Sequence, residues 1–327
     1  MDSLRNVITN TIVQKIPPNT NIIGYIMNLL NISRESVYRR IRGNISFSLE
    51  ELAKLSIDLD FSLDEVLKKE MNSRIFFDFN LRSDNDPSDI FIKIHKNYFK
   101  VLFEASNAAE FESIMILNHI SPEFVIFFNH LFKFSYYRWM HQNQETSLKY
   151  FYSDVTMPNS LLSLQKEAGE IFKKLRKNTY IIDSNVFLNM VREIQYCYNR
   201  RLINESEFFL IKNDLLGLVN MIESIVQTGF YGSNAKYNFY LSSLNVESNS
   251  RYIRYNDQIT TIFFINSIKQ VIITNTNMST VHKKWLDSML KYSTLFSQSN
   301  EILQVKYFNT QRSYIDDLLN NTIKTSL

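Results

Sequence analysis

The sequence predicts a mainly α protein: an N-terminal five-helix domain, then a helical region, then a small C-terminal α+β module. Three observations predict it. Apolar residues recur at helical spacing through residues 4–70 and again through 88–228. Two serines near the N-terminus are each followed three residues later by glutamate, the signature of a capped helix start. From Tyr237 the pattern changes to short β-branched and aromatic runs separated by polar turns.

The elements follow in order. Leu4, Val7, Ile8, Ile12 and Val13 give residues 4–16 one apolar side, and Pro17-Pro18 ends that helix. Asn19, Thr20 and Asn21 are candidate caps for a second helix running to Leu30. Asn31-Ile32 breaks the chain, and Ser33 caps a third helix ending at Arg42, with Gly43 where a left-handed cap is wanted. Ser48 to Glu51 opens a fourth helix, and Ser62 to Glu65 a fifth reaching Glu70. The polar run from Arg82 to Asp89 marks a linker, assigned to 72–87 between domains 1–71 and 88–327. Helices are then expected at 88–104, 108–118, 122–142, 158–177, 185–201 and 205–227. The third of these starts at Ser121-Pro122-Glu123. A small antiparallel sheet is expected between 237 and 274, and two helices at 279–292 and 300–320.

Composition narrows the function classes. Forty-five per cent of residues are hydrophobic and 21% charged, which is globular rather than disordered. The formal net charge of +3 permits nucleic-acid binding without arguing for it. Cys197 is the only cysteine, so no intramolecular disulfide can form, and a reducing, cytoplasmic setting is expected. The start reads as no signal peptide, and no apolar run is long enough for a membrane span. The 25 Phe and 18 Tyr, alongside many Asn, Ile and Lys, match what AT-rich codons impose, so they read as core filling.

Enzyme signatures do not assemble. The glycines at 24, 43, 169, 217, 229 and 232 form neither a phosphate loop nor a nucleophile elbow. His119, His130 and His141 recur every eleven residues. On a helix that is about 16 Å per step, too far to converge on a metal. Glu167 and Glu170 read as a solvated helix face, and Cys197 has no identifiable base. No catalytic residue, metal or cofactor is assigned, and the chain is not read as an enzyme.

Ser33 to Val66 reads SRESVYRRIRGNISFSLEELAKLSIDLDFSLDEV. With its flanks from Ile22 to Glu70, this stretch resembles the Cro/CI-type (XRE) helix-turn-helix family. Two positions depart from the family pattern: Arg40 stands where an apolar residue is usual, and Ile41 where an acid is common. The helical phase fits the likeness. Val37 and Ile41, four apart, can pack toward Ile26 and Leu30, which turns Arg34, Glu35, Tyr38, Arg39 and Arg42 outward. Leu49, Leu52, Leu55 and Leu63 are expected in the same core. Arginines at 34, 39, 40 and 42 stand against one acid, whereas residues 50–70 hold seven acids and three lysines. The resemblance implies binding to double-stranded DNA through Ser33, Arg34, Glu35, Tyr38, Arg39, Arg42 and Asn44, with the chain acting as a homodimeric transcription regulator. The region 88–327 is expected to dimerise or to sense a small-molecule or protein effector. The alternatives are an antitoxin-like protein or scaffold whose helix-turn-helix makes protein contacts and, more distantly, an unrecognised enzyme tethered to DNA.

Overall fold

The computed structural model describes residues 4–18, 20–61, 86–143, 150–232, 235–265 and 269–317. The chain divides into two compact units, Met1–Asp78 and Phe79–Leu327. Several expectations lie outside the described residues: the Leu4 side chain, a cap at Asn19, the fifth helix with Leu63, and all but the last two positions of the 72–87 linker.

The first unit holds α1 (Leu4–Lys15), α2 (Ile22–Leu30), α3 (Arg34–Ile41) and α4 (Leu49–Asp58). Local chemistry sets their ends. The Asn21 side chain accepts the Gly24 amide, and Asn31 ends α2 in the left-handed conformation. Ser33 accepts the Ser36 amide at the start of α3. A Schellman motif ends α3: the Asn44 amide donates to the Arg39 carbonyl and the Gly43 amide to the Arg40 carbonyl. Gly43 adopts φ +75° there, a conformation that a side chain would strain. Ser48 and Glu51 close a full capping box on α4. Ile26, Val37 and Leu55 are fully buried and Leu30 nearly so, while Ile41 and Leu52 are half-buried against them. The expected burial of Leu49 is corrected, since it is 73% exposed. It is the first residue of α4, and its side chain leans toward the helix N-terminus, off the packed surface.

The second unit runs α5 (Pro87–Ser106), β1 (Phe111–Leu117), α6 (Pro122–Val125), α7 (Asn129–Asn143), a 3-10 turn (Tyr152–Asp154) and α8 (Asn159–Phe172). Next come β2 (Lys177–Ile182), α9 (Val186–Asn199), α10 (Glu205–Thr228), β3 (Phe230–Tyr231) and β4 (Ala235–Ser242). It finishes with β5 (Ser250–Tyr255), β6 (Gln258–Ile265), β7 (Lys269–Ile273), α11 (Thr276–Lys291), β8 (Ser293–Leu295) and α12 (Glu301–Asp316).

The eight strands form one mixed sheet in the order β3-β4-β2-β1-β5-β6-β7, with β8 also on β4. β1, β2 and β4 are mutually parallel, joined by long crossovers that contain helices; the other pairings are antiparallel. The larger core lies on one face, where Met115, Leu117, Tyr180 and Phe239 meet the helices. The opposite face packs Ile114, Ile116, Ile181 and Tyr252 under Leu286 and Met289 of α11.

This sheet overturns the mainly α reading. The expected helix 108–118 is instead β1, Phe111–Leu117. FESIMIL is nearly continuous in apolar residues because both faces of β1 are covered, and such a run cannot be told from a buried helix by periodicity. The expected helix 158–177 stops at Phe172 and the chain runs into β2. The expected helix 122–142 is two helices, α6 and α7, with a break between them. The expected small antiparallel sheet at 237–274 is not a separate module. Its strands extend the large sheet, β4 parallel to β2 and β5 antiparallel to β1.

A polar cluster sits inside the larger core. Arg251 on β5 and Glu123 on α6 form an ion pair with both side chains fully buried. Arg251 Nε donates to Ser113 Oγ at 2.8 Å, and its Nη1 donates to the Tyr98 hydroxyl at 2.7 Å. The hydroxyls of Tyr98 and Tyr180 both donate to Glu123. Burial, with the Glu123 charge beside it, drives the Tyr180 hydroxyl well above its ordinary pKa, so it stays a donor. The acid that marks a helix start in sequence is therefore the acceptor at the centre of the unit.

Candidate nucleic-acid interface

α3 is a two-turn helix fixed at both ends by the caps described above, and Val37 faces inward at 0% exposure. Arg34, Glu35, Tyr38 and Arg39 point to solvent, as do Arg42 and Asn44 just past the helix end and Ser33 before it. The Tyr38 ring is flanked on both sides: the guanidinium carbons of Arg34 and Arg42 each lie 5.7 Å from its centroid. Residues four apart stack on one helix face, so tyrosine spaces two cations along a ridge and reduces their freedom. Ser33 has a structural duty, since its Oγ accepts the Ser36 amide at 3.2 Å.

The fourth arginine turns inward. Arg40 makes a two-pronged pair with Glu51, Nε to Oε2 at 2.8 Å and Nη2 to Oε1 at 2.7 Å, with both side chains 16% exposed. Glu51 Oε2 also accepts the Ser48 amide at 2.9 Å. Burial would raise the Glu51 carboxyl, but the bonds from Arg40 and Ser48 outweigh it and hold it below its usual value. The bridge locks α3 to the start of α4. It explains why an arginine stands at a position where the resemblance leads one to expect an apolar residue. Its stem packs while its head finds a partner.

Sequence reasoning missed one cation here. Arg5 on α1 donates to the Gly43 carbonyl at 2.6 Å, which places another guanidinium beside the end of α3. Nothing in the spacing of α1 announces that contact, because it joins residues 38 apart. Cations gathered at a helix C-terminus are favoured by the helix dipole, and here they also thicken the basic ridge. Glu50, Glu51 and Asp58 give α4 the opposite sign.

The residues weighed for chemistry in the second unit stay apart. His119 lies in the loop after β1, and its imidazole bonds the Asn118 side chain at 2.7 Å. It lines a small cavity of about 30 Å³ with His95 and the Arg138–Glu193 pair, room for a water or two. His130 and His141 lie on α7, and the His130 amide donates to Asp214. Glu170 pairs with Lys173 at 2.7 Å on the surface of α8, and Glu167 is exposed. Burial pushes the Cys197 thiol up to about 11, away from reactivity. Among the described residues, no three His, Cys, Asp or Glu side chains gather where a metal could be held. No described helix is long and apolar enough to cross a membrane.

Comparison with protein-family models, with curated proteins and with solved structures finds no match.

Proposed function

We propose that the chain is a DNA-binding transcription regulator of the cytoplasm, with a first unit that reads duplex DNA through α3. The second unit, in this reading, joins two copies and takes up an effector. One observation carries the proposal: Arg34, Tyr38, Arg39 and Arg42 form a single outward basic ridge on a rigid helix, while Arg40 is internalised to hold that helix in place. Arginine forks suit guanine edges in the major groove and phosphate oxygens alike. A single module of this size has too little interface for tight specific binding, so two copies on a two-fold site are expected.

The test is a mobility shift of the full chain with the duplex upstream of its own coding sequence, read across a salt series. Binding should weaken steeply as salt rises. Each base-reading arginine changed to alanine should cost about 1–3 kcal/mol, and each phosphate-contacting one should lower the salt slope by about 1. Retention of full binding by the double variant Arg34→Ala, Arg39→Ala would remove α3 from the interface.

A further inference from the structure

We propose that the groove between α5 and α8 binds a long-chain carboxylate, an amphiphile of the fatty-acid type. This gives the sensing role of the second unit a ligand class and rests on that part of the reading alone. α5 and α8 pack side by side and enclose a cavity of about 790 Å³, within the range of about 300–1,000 Å³ that small-molecule sites occupy. Its floor is apolar, built from Phe99, Leu164 and Ile171, all nearly buried. Phe103 stands at the side, 53% exposed. One exposed phenylalanine carries no meaning by itself, but beside a concave apolar floor it adds a wall for an aliphatic chain.

The charge at the rim selects the head group. Lys96 and Lys100, one turn apart on α5, border the groove, and Lys174 lies just beyond the end of α8. Lys96 and Lys100 have no carboxylate partner among the described residues, whereas Lys174 feels the Glu170 charge. Of the two acids at the rim, Glu170 is already paired with Lys173, which leaves Glu167. With Lys173 counted, four ammonium groups stand against two carboxylates, so the rim is net positive and attracts an anionic head group. From Ser160 on α8 to Lys174 just past its end the stretch measures about 21 Å at ~1.5 Å per residue, so the groove suits an extended chain rather than a compact one.

Area decides against a second copy of the chain as the occupant. Two helices about 10 Å apart and about 21 Å long present on the order of 400 Å². A stable interface needs roughly 800 Å² from each partner.

The experiment is a calorimetric titration of the full chain, without DNA, with dodecanoate below its micellar concentration. Saturable binding at one site is expected. Dodecanol should bind at least about tenfold more weakly, since it lacks the charge the lysines recognise. The variant Lys96→Glu, Lys100→Glu changes two exposed residues and should weaken dodecanoate by about tenfold or more, with an unchanged circular dichroism spectrum. Ser163→Trp, which fills the groove from the α8 side, should abolish binding. Absence of binding by the unaltered chain, equal binding of the alcohol, or normal binding by both variants would each overturn the proposal. So would a switch from dimer to monomer in sedimentation of Ser163→Trp when the unaltered chain binds no dodecanoate, which would assign the groove to a second copy. Because no DNA enters the assay, these outcomes are separate from those that test α3.

Discussion

Each unit is fastened by an arginine–carboxylate pair, but the two pairs differ in kind. Arg40 and Glu51 lie eleven residues apart, keep 16% of each side chain in water, and tie one helix to the cap of the next. Arg251 and Glu123 lie 128 residues apart, are fully buried, and join a strand to a one-turn helix through two tyrosines, a serine and an asparagine. The first can fail and be replaced by water. The second has no solvent to replace a lost partner, so breaking it leaves a bare charge in the core. A pair of the same chemistry is thus a clasp in one unit and a keystone in the other.

The sharpest way to break this comparison is Glu123→Ala. It should destabilise the second unit by about 3–5 kcal/mol, because Arg251 is left charged and unpaired. Changing both partners to apolar residues, Glu123→Leu with Arg251→Met, should cost clearly less than the sum of the single changes. Both tryptophans, Trp139 and Trp285, belong to the second unit, so denaturant unfolding followed by tryptophan fluorescence reads that unit alone. Equal unfolding midpoints for Glu123→Ala and the parent would show that the buried pair is not a keystone.

Acid separates the units next. All five histidines lie in the second unit. Burial pushes His95 down to about 4, and His282 likewise. The unfolded chain takes up these protons near pH 6.5, whereas the folded chain resists until about 4. Stability is therefore complete above pH 6.5 and falls as pH drops from there toward 4, by about 3 kcal/mol for His95. The first unit should not respond until its carboxylates titrate. Glu51, held below its ordinary value of 4.5, contributes stability that disappears only as pH falls through its lowered folded value. Tryptophan fluorescence against pH should thus show loss of the second unit while a residual far-ultraviolet helical signal, that of α1–α4, persists to lower pH. The reverse order would contradict the assignment of His95 as a buried neutral group.

The smallest effect is expected at the clasp. Arg40→Ala should cost the first unit about 1 kcal/mol, since the pair lies at the edge of the unit and water can solvate Glu51 once the arginine is gone. The loss should appear as an earlier minor step in the helical dichroism, that of α1–α4, and leave tryptophan fluorescence unchanged. If it also weakens DNA binding while α3 stays folded, Arg40 orients the ridge that Arg34 and Arg39 present.

The sequence by itself determined the first unit's helices as far as α4. Their boundaries rest on caps three or four residues wide: Asn21, Ser33, Gly43, Ser48 and Glu51 all act within one helical turn. The outward set on α3 follows from the same short periodicity. Leu49 escaped it because a helix's first residue points off the end, and Arg40 because its partner depends on how two helices meet. In the second unit, α5, α9 and α10 were legible as long amphipathic helices, but β1 and β2 were not. Their apolar residues face two covered sheet faces, so the alternation that betrays a strand is erased by the very packing that stabilises it. Tertiary structure alone decided that β4 runs parallel to β2, that Glu123 meets Arg251, and that α5 and α8 leave a groove. Each of these joins residues dozens to more than a hundred positions apart. No local energy term specifies such a meeting; it follows only once the whole sheet has closed around its core.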